Sequence, residues 1–205
     1  MKLFLTSSFS HVSDLLEKFY GETIKGKTIT FIPTACNVES YTGYMDNDRK
    51  ALEKLGIRVI ELDVSKESST DHIENIINKN DMIFIGGGNT FYLLQELRKS
   101  KADKIILEAI NKNKLFIGVS AGSIITSPNI EYSKKMDDIT KAPYLKNFDG
   151  LNLVDFYVLP HYLNEPFSKS TMEINADYAN KINLIPINNT QVICVTGSQT
   201  NIISV

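Results

Sequence analysis

Short apolar runs alternate along the chain with longer stretches in which apolar residues recur every three or four positions. The runs KLFLTSS, TITFIPTA, RVIELDV, DMIFIGGG and LFIGVS predict buried β-strands. The intervening stretches HVSDLLEKFYGETI, YMDNDRKALEKLG, STDHIENIINKN, NTFYLLQELRKS and KADKIILEAINKNK predict helices. Strands separated by helices favour parallel pairing through right-handed crossovers. The expected architecture is an α/β fold with a doubly wound, mostly parallel sheet and helices on both faces.

The pattern weakens after residue 128. FDGLNLVDFYVLPHYL has a strand-like composition, and SKSTMEINADYANKI has helical spacing. The last stretch, TQVICVTGSQTNIISV, predicts a β-hairpin that turns at Thr196, Gly197 and Ser198. Repeats and low-complexity segments are absent, and 205 residues suit one globular domain over 1–205.

Composition and charge narrow the range of partners. The formal net charge is -2 and the lysines are spread along the chain, so no concentrated basic surface is expected for nucleic acid or anionic lipid. The first residues, MKLFLTSSF, contain too few consecutive apolar residues for a signal peptide, and no apolar stretch reaches membrane-spanning length. Cys36 and Cys194 have no metal-ligand spacing, and reduced thiols are expected. A soluble cytoplasmic protein is the simplest interpretation.

The segment LFIGVSAGS places a serine between two glycines where a predicted strand changes into a helix. Gly118-x-Ser120-x-Gly122 in this setting is typical of a nucleophile elbow, a turn so tight that its neighbours must lack side chains. The serine hydroxyl would then stand at the edge of the sheet. The alternative interpretation is a glycine-rich turn in which Ser120 only caps a helix.

A serine nucleophile needs a base, and the chain contains three histidines. His11 and His72 lie near the starts of predicted helices, where solvated or capping roles are common. His161, in YVLPHYLNEP, follows an apolar strand and belongs at the sheet edge that carries the elbow. Spacing does not decide which carboxylate would orient its imidazole. The acidic residues between Ser120 and His161 are Glu131, Asp137, Asp138, Asp149 and Asp155.

A second glycine cluster, IFIGGGNTF, ends a predicted strand and starts a helix at Asn89 and Thr90. Exposed amides in such a loop bind either a phosphate or a developing oxyanion. The loop has neither the spaced G-x-G-x-x-G pattern nor a terminal lysine, so the phosphate site is the weaker hypothesis. With the elbow present, we expect a glycine amide here to form an oxyanion hole with the Ala121 amide.

Three motifs taken together resemble one family. FIGGGNTFYLLQEL, GVSAGS and DGLNLVDFYVLPHY, in this order, are similar to the peptidase E family of serine peptidases, which includes aspartyl dipeptidase and, more distantly, cyanophycinase. The resemblance implies a fold similar to class I glutamine amidotransferases, with serine replacing their cysteine. It also implies Ser120 as nucleophile, His161 as base, and the Gly88 and Ala121 amides as the oxyanion hole.

The family's third catalytic residue is an aspartate or glutamate between the serine and the histidine. Matching GLNLVDFYVLPH without gaps brings Asp138 closest to that position, while Asp137 and Glu131 stay open. Asn89, which follows the glycine loop, is the candidate substrate-binding residue.

One departure from the family concerns specificity. Its aspartyl dipeptidases hold the substrate aspartate with an arginine beyond the histidine, but Arg49, Arg58 and Arg98 all precede His161. The segment NEPFSKSTMEINADYAN offers Lys169 instead, and it also brings the acidic residues Glu165, Glu173 and Asp177. We therefore expect no strict preference for an N-terminal aspartate.

The sequence thus predicts a serine peptidase that cleaves short peptides through a Ser-His-Asp/Glu triad and an acyl-enzyme. It needs no metal or cofactor, its expected partner is a small peptide, and a homodimer is compatible with the composition. Two alternatives stay open. One is a carboxylesterase with the same triad, and the other is a non-catalytic flavodoxin-like module that binds a phosphorylated ligand.

Overall fold

A mixed seven-stranded sheet forms the centre of the computed structural model, which describes residues 1–205. The strands are β1 (Lys2–Thr6), β2 (Thr28–Ile32), β3 (Arg58–Glu61), β4 (Met82–Ile85), β5 (Leu115–Val119), β6 (Tyr157–Leu159), β7 (Leu184–Pro186), β8 (Gln191–Thr196) and β9 (Gln199–Ser204). The large sheet has the order β3-β2-β4-β5-β1-β8-β9. Strands β3, β2, β4, β5 and β1 are parallel, whereas β8 pairs antiparallel with both β1 and β9.

Helices connect the parallel strands. They are α1 (Phe9–Val12), α2 (Leu16–Tyr20), α3 (Gly43–Lys54), α4 (Thr70–Lys79), α5 (Thr90–Ser100), α6 (Ala102–Asn111), α7 (Ala121–Ile124) and α8 (Ser168–Tyr178). Short 3-10 turns lie at Ser13–Leu15, Thr34–Val38, Glu131–Lys135 and Ile139–Lys141. None of these helices combines the length and the apolar character needed to span a lipid bilayer.

Alternate side chains of the central strands feed two separate cores. In β1, Leu3 and Leu5 pack with helices α4, α5 and α6, whereas Phe4 faces the opposite side and packs with α1, α2 and α3. All three side chains are fully buried. Continuous apolar runs are therefore required in these strands, because both faces of the sheet are covered. The predicted doubly wound α/β architecture is confirmed.

Two predicted elements differ in detail. The expected helix over HVSDLLEKFYGETI is split into α1, a 3-10 turn and α2, because the backbone leaves the helical region at Val12 (φ -122°, ψ 8°). The apolar segment FDGLNLVDFYVLPHYL forms only the three-residue strand β6, which pairs with β7 in a separate sheet. Its side chains Leu151, Val154 and Phe156 are buried by an irregular loop that packs on the main core. The C-terminal hairpin forms as predicted, with Gly197 at φ 59°.

The parallel strands end at one edge of the sheet, and their following loops meet there. Ser7 follows β1, Gly86 follows β4, and Ser120 follows β5. In open α/β sheets this carboxyl edge is where ligands bind. The topology therefore brings together residues that are far apart in the sequence.

Candidate active site

Ser120 lies at a sharp turn between β5 and α7. Its backbone has φ 50° and ψ -109°, a strained conformation for a residue with a side chain. A Cβ atom on Gly118 would lie 2.5 Å from the carbonyl oxygen of Gly122, and one on Gly122 would lie 2.1 Å from that of Ile85. Both glycines are therefore required because the turn brings backbone atoms too close for any side chain. The interpretation as a simple capped turn is wrong, since Ser120 makes no side-chain cap.

His161 reaches Ser120 from the end of β6. Its Nε2 atom lies 3.0 Å from Oγ of Ser120. The backbone N–H of His161 donates to Oγ of Ser7 at 2.9 Å, and that hydroxyl donates to the carbonyl oxygen of Ile187 at 3.0 Å. The Phe167 ring stacks on the imidazole, with centroids 4.9 Å apart. The imidazole is thus held by the hydrogen bond of its backbone N–H, by the Phe167 ring on one face, and by hydrogen bonds to both ring nitrogens.

The second ring nitrogen of His161 is held by Asn189, in the loop between β7 and β8. Nδ1 of His161 lies 2.8 Å from Oδ1 of Asn189. An amide oxygen accepts hydrogen bonds only, so Nδ1 carries the proton and Nε2 is free to accept the Ser120 hydroxyl. The backbone N–H of Asn189 donates to Oδ1 of Asn164 at 2.8 Å, which fixes the loop. Asn189 therefore sets the tautomer in which Nε2 of His161 is able to accept a proton.

Burial lowers the pKa of His161 below its usual value of 6.5, and the hydrogen bond that His161 donates to Asn189 only partly opposes this effect. An uncharged amide supplies no negative charge to stabilise an imidazolium. The imidazole is therefore neutral at neutral pH, as general base catalysis requires.

The acidic residues expected to orient His161 lie elsewhere, and this expectation is corrected. Asp138 is exposed, and its Oδ1 accepts hydrogen bonds from the backbone and side chain of Thr140. Asp137 accepts from the backbone N–H of Thr90 at the start of α5. Glu131 pairs with Lys134 at 2.7 Å. Because both imidazole nitrogens already have partners, none of these carboxylates orients the ring in this structure.

The predicted oxyanion amides lie beside the serine. Gly88 has φ 133°, and a Cβ atom there would lie 2.3 Å from the carbonyl oxygen of Ala35. A Cβ atom on Gly87 would lie 3.3 Å from Cβ of Ser120, so the glycine loop touches the elbow. The backbone N–H groups of Gly88 and Ala121 donate to no acceptor within the chain. Both amides are therefore available to an oxygen atom of a bound molecule.

Asn89 does not have the substrate-binding position expected for it. It is 1% exposed, and its Oδ1 accepts from the backbone N–H of Tyr92 as the N-cap of α5. Its Nδ2 donates to the backbone carbonyl of Asp138 at 3.0 Å. With both ends of the amide engaged, Asn89 instead holds the loop of Asp138 next to the site.

A cavity of about 470 Å³ opens over Ser120 and His161. This size suits a small ligand such as a short peptide. Its walls come from the loops after β1, β4 and β5, from residues 39–41 and the first half of α3, and from two segments of the C-terminal half. The lining residues are Ser7, Ser8, Glu39, Ser40, Tyr41, Tyr44, Asp48, Gly87, Gly88, Val119, Ser120, Met136, Asp137, Asp138, Lys141, His161, Pro166 and Phe167.

The charged residues around the cavity differ from those expected. Lys141 lines it, whereas Lys169 and all three arginines do not. Glu165 also lies outside the lining, and Glu173 and Asp177 both pair with Lys135 on the surface. No group of three histidine, cysteine or acidic side chains is arranged to hold a metal ion.

Sequence analysis missed two contributors to this arrangement. Asn189 follows the apolar strand β7, and this position at a strand exit is the one local signal for it in the sequence. Ser7 likewise follows β1, and its hydroxyl ties His161 to Ile187. Hydroxyl and amide side chains at strand exits thus lie at the same edge of the sheet as Ser120 and His161.

An elbow serine hydrogen-bonded to a fixed neutral histidine is the arrangement of serine hydrolases. Comparison with known proteins gives the same class. The family model described as peptidase family S51 matches residues 3–203. The chain belongs to this family and is a peptidase.

Individual relatives agree with the family. An uncharacterized peptidase of Listeria innocua is 54% identical over 96% of this chain and 93% of its own length. A peptidase E of Haemophilus influenzae is 31% identical over 78% of this chain and 68% of its own length. A crystal structure from Listeria monocytogenes, assigned to peptidase E, superposes with a TM-score of 0.95 at 48% identity, covering 100% of this chain and 98% of that one.

Proposed function

We propose that this protein is a serine peptidase that hydrolyses short peptides with Ser120 as nucleophile, His161 as base and Asn189 as the residue that orients the base. The observation that carries the proposal is the 3.0 Å contact between Ser120 Oγ and Nε2 of a histidine whose Nδ1 is already bound. The lone pair of such a nitrogen is directed at the serine hydroxyl, and no other group competes for that lone pair.

The reaction starts when the peptide carbonyl carbon lies next to Ser120 Oγ. His161 Nε2 takes the hydroxyl proton as Oγ forms its bond to the carbonyl carbon, and the carbonyl oxygen becomes an oxyanion. The amides of Gly88 and Ala121 donate hydrogen bonds to that oxygen. His161 then gives the proton to the leaving amine, and an acyl-enzyme on Ser120 remains. Water, deprotonated by the same imidazole, releases the acid.

Asn189 acts in this scheme through its dipole and not through a charge. It holds the Nδ1–H tautomer, as an asparagine does for the catalytic histidine of papain-like cysteine proteases. The imidazolium that forms after proton transfer is stabilised less than it would be beside a carboxylate. We therefore place Asn189 as a positioning residue, with Ser120 and His161 as the catalytic residues.

The proposed substrates are short peptides without a requirement for N-terminal aspartate. A buried carboxylate needs a charged partner, and a guanidinium supplies the best one. The arginines of this chain are engaged or exposed elsewhere, since Arg49 pairs with Glu61 and Arg98 donates to the carbonyl oxygens of Asn147 and Asp149. Lys141 is the single lysine of the cavity.

Labelling with a fluorophosphonate tests the nucleophile directly, because the reagent traps an activated serine without any assumption about substrate. We expect one adduct on Ser120 in the wild-type protein and none in Ser120→Ala. Parallel assays of matched amide and ester substrates separate a peptidase from a carboxylesterase. An unlabelled Ser120, or cleavage of esters without any cleavage of peptides, contradicts the proposal.

A further inference from the structure

Acidic side chains dominate the charged lining of the catalytic cavity. Glu39, Asp48, Asp137 and Asp138 all line it, against the single ammonium group of Lys141. None of these five charged groups takes part in a salt bridge, although salt bridges are formed elsewhere on the chain. No direct ion pair therefore neutralises these acidic side chains.

Asp48 is the most deeply buried of these acidic residues, with 2% of its surface exposed. Its Oδ1 accepts a hydrogen bond from the backbone N–H of Ser10 at 3.0 Å, and the Ser10 side chain also favours the ionised form, which lowers the pKa of Asp48. Burial raises the pKa of Asp48 to about 7, and no basic side chain counteracts that effect. A buried carboxylate without a cation is costly for the folded protein, and a ligand cation would remove this cost.

Two tyrosine rings line the same cavity as Asp48. Tyr44 lies one helical turn before it on α3, and its hydroxyl is buried without a hydrogen-bonding partner. Tyr41 packs against Tyr44 with ring centroids 6.0 Å apart and is 69% exposed at the mouth of the cavity. A Cβ atom on Gly87 would lie 3.7 Å from the Tyr44 ring and 3.3 Å from Ser120 Cβ, which places the ring close to the nucleophile.

We propose that this part of the cavity binds a cationic nitrogen of the substrate, with Asp48 as its main carboxylate partner and the Tyr41 and Tyr44 rings packed against it. This inference rests on the proposed peptidase function and names its substrate class. Aromatic faces and carboxylates together are suited to ammonium and guanidinium groups. The same charges disfavour an acidic side chain in that position.

The cationic nitrogen has two sources in a peptide, the free α-ammonium group and the side chain of lysine or arginine. Both present the same chemistry to Asp48. Peptide amides that carry one, both or neither of these groups distinguish the sources. A C-terminal amide in every ligand removes the negative charge of the carboxylate from the comparison.

Asp48 also caps the start of α1 through Ser10, so a test must separate this structural contact from cation binding. Asp48→Asn keeps an oxygen that accepts from the Ser10 N–H and removes only the negative charge. Asp46→Asn is the matched control, because Asp46 lies on the same helix at an exposed position and does not line the cavity.

The experiment measures dissociation constants by calorimetry for four peptide amides, with the Ser120→Ala substitution in every protein to prevent turnover. The ligands are Ala-Leu-amide, acetyl-Ala-Leu-amide, acetyl-Lys-Leu-amide and Lys-Leu-amide. At least one ligand with a single cation should bind on the order of tenfold more tightly than acetyl-Ala-Leu-amide. Asp48→Asn should abolish that advantage, and Asp46→Asn should retain it.

Each outcome bears on the inference. If Ala-Leu-amide alone is favoured, the cation is the α-ammonium group, and if acetyl-Lys-Leu-amide alone is favoured, it is the side chain. Equal or undetectable binding of the cationic and neutral ligands overturns the inference, as does an advantage that survives in Asp48→Asn. Fluorophosphonate labelling of Ser120 in the wild-type protein is independent of these constants, so failure of the peptidase proposal is recognised separately.

Discussion

Nδ1 of His161 and Oδ1 of Asn189 lie 2.8 Å apart, so an uncharged side chain holds the imidazole that we propose as the base. The pKa of His161 is lowered below its usual value of 6.5, with burial as the main cause. A neutral partner leaves this effect of burial largely uncompensated. The base should therefore stay deprotonated, and hence active, at mildly acidic pH.

Asn189→Asp should raise the pKa of His161, because the new carboxylate favours the imidazolium form. The acidic limb of the pH profile of kcat/KM should then move to higher pH, so the variant loses activity at a pH where the wild type still works. Asn188→Asp is the control, because the Asn188 side chain accepts from Thr190 and does not contact His161. An unchanged acidic limb in Asn189→Asp would show that Asn189 does not act on the titrating base.

Ser120→Ala should reduce kcat on the order of a thousandfold or more, because it removes the atom that forms the acyl-enzyme. The fold should persist, since the Ser120 hydroxyl donates only to His161. Steady-state kinetics and the thermal midpoint of unfolding check these two expectations separately. Wild-type turnover by the variant would rule out Ser120 as the nucleophile.

His161→Ala should be nearly as damaging as Ser120→Ala, and combining the two should add little, because they act as one unit. The other histidines serve as controls. His11 contacts the Ser8 hydroxyl, and His72 lies near Glu67 on the surface, so alanine at either position should leave kcat close to wild type. A damaging His72→Ala variant would contradict the assignment of the base.

An Asp-Leu substrate should not be preferred over Ala-Leu, because the cavity offers an incoming carboxylate only Lys141 against four acidic side chains. Specificity constants for the two dipeptides measure this directly. Lys141→Ala should weaken Asp-Leu cleavage further, whereas Lys169→Ala, outside the cavity, should not. A preference for Asp-Leu of about tenfold or more would contradict the expectation.

Asp48→Asn should increase the free energy of unfolding relative to the wild type, and more so at higher pH. Burial raises the pKa of Asp48 from its usual 3.8 to about 7 in the folded protein. The wild type is therefore most favoured with Asp48 protonated, and loses stability as the pH rises through this interval. The difference between the proteins should grow from about pH 4 to about pH 7 and then level off, by a few kcal/mol in total.

Urea unfolding of both proteins at several pH values measures this difference. Asp46→Asn provides the control for a charge removed from an exposed position of α3. A difference between Asp48→Asn and wild type that does not change with pH would mean that Asp48 does not ionise in this interval.

The sequence was sufficient for the sheet because its central strands are buried on both faces. Phe4 and Leu5 must both be apolar when helices cover the two sides, and that gives a continuous apolar run. Helix α4 was recognisable for a similar reason, since Ser69 caps it and Ile73 and Ile77 face the core. The apolar residues Leu151 and Phe156 suggested a longer strand, but they lie in an irregular loop. Such a loop buries apolar side chains as well as a strand does.

The sequence predicted only part of the candidate site. Ser120 and His161 have local signals, a glycine-flanked turn and a strand exit. Asn189 has neither a charge nor a motif, and its role depends on β7 bringing it to the edge where β6 ends. The pairing of these two strands is a tertiary contact that the local pattern of residues 157–186 does not encode.

The Ser7 hydroxyl links segments that are distant in the chain. It accepts from the backbone of His161, 154 residues away, and donates to the carbonyl oxygen of Ile187, 180 residues away. Contacts of such separation carry a loop-closure cost and depend on the β-strands between them being assembled. His161 is consequently brought to Ser120 only when the whole sheet has formed, so partly folded chains lack the hydrogen bond between them. The proposed peptidase activity would therefore first appear when the chain has folded completely.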